Sequence, residues 1–246
     1  MARKVGQAGK STREMSARRR RTALIIFIVG IVFISILYLI LKNAKALGIG
    51  GIGILVLLFL IRFIIPDLVE SKVDRTLKTE KRALRGAIAE ERISETLDEL
   101  NEDYNVLHDI ESPYGNIDHI VISKHNGIFL IETKSHRGKV ESSGNELLVN
   151  GKQPEKNFIV QILQNVYWLR DEIDQKLGIK PWITPVIVFT NAFVYPVKPI
   201  KGISVVNKKI YQPFYNVKSN LRTQTRKFGN VEKGSAILWC RVEELW

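Results

Sequence analysis

The stretch GNIDHIVISKHNGIFLIETK, residues 115–134, contains two apolar runs separated by a short polar turn. Short runs of Ile, Val, Phe and Leu that are bounded by Asn, Gly and Ser are typical of β-strands joined in a hairpin. Each run also carries one acid toward its outer end, Asp118 in the first and Glu132 in the second. The stretch therefore predicts a buried hairpin that holds a chemical site.

The second strand carries its charges on a face that is otherwise apolar. Alternation places Glu132 and Lys134 in line with Ile128 and Leu130. A buried ion pair is by itself a weak source of stability, because desolvation offsets the attraction. A divalent cation changes that balance, since Mg²⁺ selects hard oxygen ligands. The pattern therefore favours a metal site, with Asp118 as the candidate second carboxylate.

The turn KHNGI, residues 124–128, decides whether Asp118 can face Glu132. A two-residue loop would turn Asp118 to the opposite face of the hairpin. A three-residue loop with a left-handed Gly127 would place Asp118 opposite Lys134, on the face that carries Glu132. The metal-site hypothesis therefore predicts the three-residue loop.

The surrounding residues predict an α/β domain with one mixed sheet flanked by helices. A charged helix before the hairpin gains an apolar side through Ile93, Leu97 and Leu100. A second helix is predicted over residues 155–177, where apolar residues recur at helical spacing. Besides the hairpin, strands are predicted at 104–110, 144–151, 183–190 and 202–207.

An ordered set of polar residues resembles the PD-(D/E)xK nuclease superfamily. More narrowly, the segments GAIAEE, GNIDHIVISKHNGIFLIETKSHRGKV and KNFIVQ are similar to the NERD (nuclease-related) domain, over residues 85–195. Two positions depart from the family pattern: Ala89 stands where glycine is expected, and Phe158 where proline is expected. The matching residues are Glu90, Asp118, Glu132, Thr133, Lys134 and Gln161.

The resemblance implies a role for each matching residue. Asp118, Glu132 and the Thr133 carbonyl would bind Mg²⁺ or Mn²⁺, which makes an attacking water easier to deprotonate. Lys134 would orient that water or neutralise charge that develops on the phosphate. The remaining catalytic assignments are Glu90, which would reach the metal or its waters, and Gln161, which would hold a phosphate oxygen or the water.

The function expected from this resemblance is a metal-dependent nuclease that hydrolyses phosphodiester bonds, with DNA as the substrate. The alternative is a non-catalytic nucleic-acid-binding or membrane-scaffolding protein with a degenerate nuclease fold. His119 adjoins the site in sequence, but strand alternation points it away from Asp118.

Two long apolar runs precede this domain. Residues 22–41 and 46–65 are each long enough to cross a bilayer as a helix, which predicts a two-helix transmembrane hairpin. A cleaved signal peptide is the competing interpretation of the first run, but twenty apolar residues are too long for a signal core. The run is preceded by eight Lys or Arg and one acid in residues 1–21. This bias predicts an integral membrane protein with two spans, both termini in the cytoplasm and residues 66–84 as a helical connector.

The basic N-terminal tail contains GQAGKST at residues 6–12, which looks like a phosphate-binding loop. The spacing fails, because Lys4 stands where the first glycine of that motif belongs, and no strand is expected before it. Residues 1–21 are therefore expected to form a disordered cytoplasmic tail.

The segment 196–246 is predicted to be a basic extension that completes the domain. Its residues 198–233 hold nine Lys or Arg, one acid and four aromatic residues. This mixture suits a nucleic-acid backbone and its bases, an anionic lipid surface, or a simple solvated face. The candidate nucleic-acid-binding residues are Lys208, Lys209, Arg222, Arg226 and Lys227.

Overall fold

The computed structural model describes residues 2–43, 78–125, 127–196 and 198–207, without the side chains at positions 19, 37, 40 and 41. The chain divides into two compact units. One contains residues 1–11 together with 85–246, and it holds the sheet. The other contains residues 12–84, and its described part consists of helix.

The described part of the chain contains three helices and seven strands. The helices are α1 (Lys10–Lys42), α2 (residues 78–98) and α3 (Phe158–Leu177). The strands are β1 (Arg3–Val5), β2 (Tyr104–Ile110), β3 (Ile117–Ser123), β4 (Gly127–Ser143), β5 (Glu146–Val149), β6 (Ile183–Val194) and β7 (Ser204–Asn207).

All of these strands belong to one mixed sheet, as the sequence predicts. Its order is β1-β2-β3-β4-β6-β7, and β5 pairs with the outer part of β4. The central strands β2, β3 and β4 are antiparallel, whereas β6 runs parallel to β4 and β7 runs parallel to β6. The strand β4 is seventeen residues long, so it extends well past the predicted hairpin.

Helices cover both faces of this sheet. On one face, Ile128 and Leu130 of β4 pack in a core with the apolar stripe of α3. On the other face, Phe129 and Ile131 pack with Ile93 and Leu97 of α2. A strand that is buried on both faces reads as a continuous apolar run, which explains the sequence GIFLI.

The ends of α3 have clear local causes. Asn157 caps its beginning, because the side-chain oxygen accepts hydrogen bonds from the N–H groups of Ile159 (3.1 Å) and Val160 (3.2 Å). The helix ends at Gly178, whose φ of 66° provides the left-handed cap. Between these caps, Phe158 begins the helix beneath the polar site described below.

The hairpin register differs from both predicted pairings. Ser123 pairs with Gly127, and His119 pairs with Ile131. Three residues, 124–126, lie between the paired ends, so the loop length matches the prediction, but the loop begins one residue earlier. Compared with the predicted three-residue pairing, each residue of β3 pairs with the β4 residue two positions earlier in the chain. An even shift keeps side chains on the same face, so Asp118 and Glu132 share a face as predicted.

The expectation of a disordered N-terminal tail is wrong. Residues Arg3–Val5 form a strand parallel to β2, and the N–H of Ala2 donates to the carbonyl of Leu100 at 2.8 Å. Gly6 then passes against the backbone of β2, where an added Cβ would stand 2.2 Å from the carbonyl oxygen of His108. Sequence periodicity cannot show this pairing, because the two strands lie about a hundred residues apart.

Among the described residues and side chains, no helix has the length and apolar character of a membrane span. The predicted transmembrane hairpin is therefore unconfirmed. Its first run, 22–41, falls within α1, and its second run, 46–65, lies outside the described residues.

Candidate active site

Asp118 and Glu132 are brought together at the open end of the β3–β4 hairpin. Extending the observed pairing by one step past His119 and Ile131 places the two acids directly opposite each other. Asp118 is further held by the backbone of β4, because the N–H of Thr133 donates to its Oδ2 at 2.6 Å. The predicted meeting of the two carboxylates thus exists, although it was predicted through a different register.

Three polar side chains form a closed network on the α3 face. Lys134 Nζ donates to Glu132 Oε1 at 2.7 Å and to Gln161 Oε1 at 3.1 Å. Gln161 Nε2 in turn donates to the same Glu132 oxygen at 2.9 Å. Gln161 reaches the strand because it lies one turn into α3, where its N–H bonds to the carbonyl of Asn157. The network fixes the positions of a carboxylate, an ammonium and an amide relative to one another.

The second oxygen of Glu132 is the unusual atom of this network. The residue is only 3 % exposed, and among the described residues Oε2 is buried with no hydrogen-bond partner. A buried carboxylate oxygen without a partner is costly. Such an oxygen beside a second carboxylate matches what a hard divalent cation requires of its ligands. The residues present therefore fit a metal such as Mg²⁺.

The electrostatics of Asp118 support the same interpretation. Burial raises the pKa of its carboxyl well above the usual range, and the nearby charges of Glu132 and Glu90 raise the pKa further. Lys134 and the N–H of Thr133 oppose this rise without cancelling it. Three carboxyl groups thus lie close enough to influence one another, and the ammonium of Lys134 only partly offsets their effect on Asp118.

Glu90 takes part in this electrostatic environment from α2. It is 9 % exposed and lies three and seven residues before Ile93 and Leu97, whose side chains pack on the sheet. Across the described part of the chain, no three His, Cys, Asp or Glu side chains are grouped closely enough to hold a metal ion. The ligand set proposed from the resemblance, Asp118, Glu132 and the Thr133 carbonyl, contains only two such side chains. The metal assignments, including Glu90, stay predictions.

Phe158 is a site residue that the sequence interpretation did not assign. Lys134 Nζ lies 4.7 Å from the centroid of its ring, within the range of a cation–π interaction. Phe189 holds the ring from one side, at 6.1 Å between centroids, and His136 contacts it at 5.1 Å. The only signal in the sequence was the departure at this position, where the family pattern has proline.

The opposite face of the same strands holds a second buried polar cluster. His108 of β2 and His119 of β3 join through their Nδ1 atoms at 2.8 Å, so one imidazole donates and the other accepts. Burial lowers the pKa of both, more strongly for His119, and for His108 the charge of Asp98 acts against the decrease. This confirms that His119 points away from Asp118, because it belongs to a different cluster on the α2 face.

The five basic residues proposed to bind nucleic acid, Lys208, Lys209, Arg222, Arg226 and Lys227, lie outside the described residues. Their assignment stays a prediction.

Comparison with family models finds one match, to the nuclease-related domain (NERD), over residues 85–190. The matched range begins in α2 and ends in β6, so it contains every residue of the network described above. It is consistent with a PD-(D/E)xK-like nuclease domain. Comparisons with curated proteins and with solved structures find no match.

Proposed function

We propose that the protein is a metal-dependent nuclease that hydrolyses the phosphodiester bonds of DNA. Its residues 85–190 match the family model of the nuclease-related domain. The observation that carries this proposal is the state of Glu132. One of its oxygens is bonded to Lys134 and Gln161, and the other is buried beside Asp118 with no partner in the part of the chain that the structure describes. A purely structural ion pair has no need of a second carboxylate.

Asp118, Glu132 and the carbonyl of Thr133 are the residues that would hold Mg²⁺ or Mn²⁺. The cation would supply positive charge to the phosphate and make a water easier to deprotonate. The chain itself orients these ligands: the Thr133 N–H fixes Asp118, and Gln161 fixes Glu132.

Lys134 is the positively charged group that the protein itself contributes to the site. An ammonium has three N–H groups, and two of them donate to Glu132 and Gln161. The third is available to a water or to a phosphate oxygen on which negative charge increases during hydrolysis. The ring of Phe158 makes a cation–π interaction with the ammonium, which favours its observed position. Glu90 contributes negative charge that favours binding of the cation.

We further propose that residues 22–65, as the transmembrane hairpin that the sequence predicts, anchor the domain to the cytoplasmic side of a membrane. Apolar side chains of α1 such as Phe27 and Ile34 are about two-thirds exposed, at 66 % and 65 %, which favours an apolar environment. The pairing of β1 with β2 supports the topology. Because paired strands must lie on one side of a bilayer, the chain between residues 11 and 85 can cross it only an even number of times.

Cleavage by the full-length protein tests the proposed activity. Purified protein incubated with DNA and Mg²⁺ should cleave it, and chelation of the metal should stop the reaction. Glu132→Ala and Lys134→Ala should each lower the rate by about a hundredfold or more. The full chain is required, because a fragment that begins after the hairpin lacks β1.

Two alanine variants of a surface ion pair provide a matched control. Glu172 and Lys176 lie 3.6 Å apart on α3, away from the strand network, and their replacement should leave the rate unchanged. Melting temperatures should show that all four variants are folded. Nucleic-acid binding that persists in both site variants, without cleavage of any substrate, would favour the non-catalytic alternative.

The metal assignment has a readout that does not depend on turnover. Binding of Mn²⁺, followed by electron paramagnetic resonance, should be lost in Asp118→Asn and in Glu132→Gln. Undiminished Mn²⁺ binding in these variants would show that the two carboxylates are not the ligands.

A further inference from the structure

The outer halves of β4 and β6 form a surface that the proposed chemistry does not use. The strand β4 continues nine residues past Lys134, and β6 runs beside it to Val194. In this region Lys139 pairs with Phe193. We use the name aromatic platform for the side chains of Arg137, Lys139, Phe193 and Tyr195.

The two aromatic rings of the platform are exposed to solvent. Phe193 is 58 % exposed and Tyr195 is 41 % exposed. In contrast, Val194 between them and Ala192 before them are buried. Their ring centroids lie 5.1 Å apart at an angle of 89°. Folding gains little from a phenylalanine that remains in water, so the exposed pair indicates a surface that another molecule covers.

Cations accompany these rings. Lys139 Nζ lies 5.9 Å from the centroid of Tyr195. Alternation puts Arg137 and Glu141 on the same face of β4 as Lys139, and all three are exposed. Two cations therefore stand against one acid, which makes the face attractive to an anion.

The backbone beneath the platform is fixed by Asn150. Its Oδ1 accepts from the N–H of Lys139 at 2.9 Å, and its Nδ2 donates to the carbonyl of Arg137 at 3.2 Å. Gly138 between them has a φ of 100°, and an added Cβ would lie 1.9 Å from Asn150 Oδ1. The backbone that carries the two cations is thus fixed before any ligand arrives, which lowers the entropic cost of binding.

The platform lies on the same strand as the proposed active site, beyond a shift in the pairing of β4 with β6 between Lys134 and Arg137. Lys139 follows Lys134 by five residues, a distance of about 16 Å at the usual rise of a β-strand. Val140 and Val194, which follow Lys139 and Phe193, pack in the core with α3. The platform therefore lies on the opposite face of the sheet from Lys134, and a polynucleotide that contacts both would pass around the edge of the sheet.

We infer that the aromatic platform binds single-stranded nucleic acid, with bases stacked on Phe193 and Tyr195 and the backbone contacted by Lys139 and Arg137. This inference rests on the proposed nuclease function and names the form of nucleic acid that the protein would hold near its site. Stacking on aromatic rings tolerates every base, so the platform selects unpaired strands without selecting sequence. Paired bases inside a duplex would not be available to the two rings.

Fluorescence anisotropy with a labelled oligothymidylate tests the inference on the full-length protein, with a chelator present to prevent cleavage. The double variant Phe193→Ala/Tyr195→Ala should weaken binding at least tenfold. Lys139→Ala should also weaken it, and it should reduce the slope of log K against log salt by about 0.7. Phe193→Leu should weaken binding without changing this slope, because it removes a ring and no charge.

Tyr167 on α3 is a matched control, because it is an aromatic residue with the same exposed fraction, 58 %, outside the platform. Tyr167→Ala should bind like the unchanged protein. An oligonucleotide with 5-iodouracil should also crosslink under ultraviolet light to Phe193 or Tyr195, and to neither in the double variant.

The outcomes separate this inference from the proposed function. A double variant that binds the oligonucleotide normally and cleaves with unchanged KM would overturn the platform and leave the nuclease proposal intact. Loss of binding to phosphatidylserine vesicles, without loss of oligonucleotide binding, would overturn it in favour of a lipid surface. Failure of the unchanged protein to bind or cleave any nucleic acid would overturn both.

Discussion

The strands β3 and β4 contribute to a buried polar cluster on each face of the sheet. One cluster contains charged side chains, and the other contains neutral ones. On the α3 face, Glu132 and Lys134 form a largely buried ion pair, and the second oxygen of Glu132 has no partner among the described residues. On the α2 face, His108 and His119 share a hydrogen bond, and burial lowers the pKa of both imidazoles. Similar burial thus accompanies charge on one side and neutrality on the other.

The difference distinguishes a cluster suited to a reaction from a cluster that stabilises the fold. A buried neutral pair that satisfies its own hydrogen bond contributes to a defined fold at small cost. A buried charge that lacks a partner lowers stability, and it persists where a ligand or a reaction requires it. The charged cluster therefore should be removable without loss of the fold, whereas the neutral cluster should not.

The largest expected effect is on the charged cluster. The double variant Glu132→Gln/Lys134→Met removes both charges and keeps the shapes of the side chains. Cleavage should fall by about a hundredfold or more, while the free energy of unfolding should stay the same or rise by about 1 kcal/mol. Urea unfolding monitored by circular dichroism measures the second quantity, and a loss of stability above about 2 kcal/mol would contradict the comparison.

The N-terminal strand β1 lies next to the neutral cluster, because it pairs with the strand β2 that carries His108. Lys4 of β1 pairs with Asp98 at 2.7 Å, and Gly6 lies against the backbone of His108. Gly6→Ala should destabilise the protein by about 2 kcal/mol or more, because φ is 84° and the new Cβ meets a backbone oxygen.

Gly202→Ala is the control for this change. Its φ of 82° is nearly the same, but no described residue lies within 4 Å of an added Cβ. It should therefore show the cost of the backbone conformation alone. Equal destabilisation by the two variants would mean that the N-terminal segment does not pack on β2.

The neutral cluster also predicts a dependence of stability on pH. Because the pKa of His108 is lowered by folding, the unfolded chain binds protons first as the pH falls below about 6.5. The stability is then fully present above that pH and is lost below it, by up to about 1.4 kcal/mol per pH unit for each histidine. Urea unfolding of the unchanged protein and His108→Gln between pH 8 and 5 should show a shallower loss in the variant; parallel curves would count against a neutral cluster.

The smallest effect concerns the ring beneath Lys134. Phe158→Leu keeps an apolar side chain but removes the cation–π interaction, which is worth about 0.5–2 kcal/mol. We expect kcat to fall by about 2- to 30-fold with KM nearly unchanged. Fluorinated phenylalanines at this position, which weaken the ring's attraction for a cation while keeping its shape, should lower kcat progressively with each fluorine. A constant kcat across that series would reduce Phe158 to a packing residue.

The hairpin shows how far local pattern reaches. Alternation along two strands put Asp118 and Glu132 on one face, and this is correct because the period of two survives any even shift in register. The register itself was predicted wrongly. Ser123 remains in the strand because β3 also pairs with Tyr104 of β2, so the turn begins earlier than the glycine alone indicates. The neighbouring strand decided a feature that the turn sequence left open.

The sequence by itself determined the periodic features: the mixed α/β order, the shared face of the two carboxylates, and the helix that carries Gln161. Each depends on residues close together in the chain, where strand and helix geometry fix the direction of a side chain. Only the tertiary structure decided that β1 joins the sheet, that the two histidines pair, and that Phe158 lies beneath Lys134. These contacts join residues that are distant in sequence, and their cause is packing between elements, which no local period encodes.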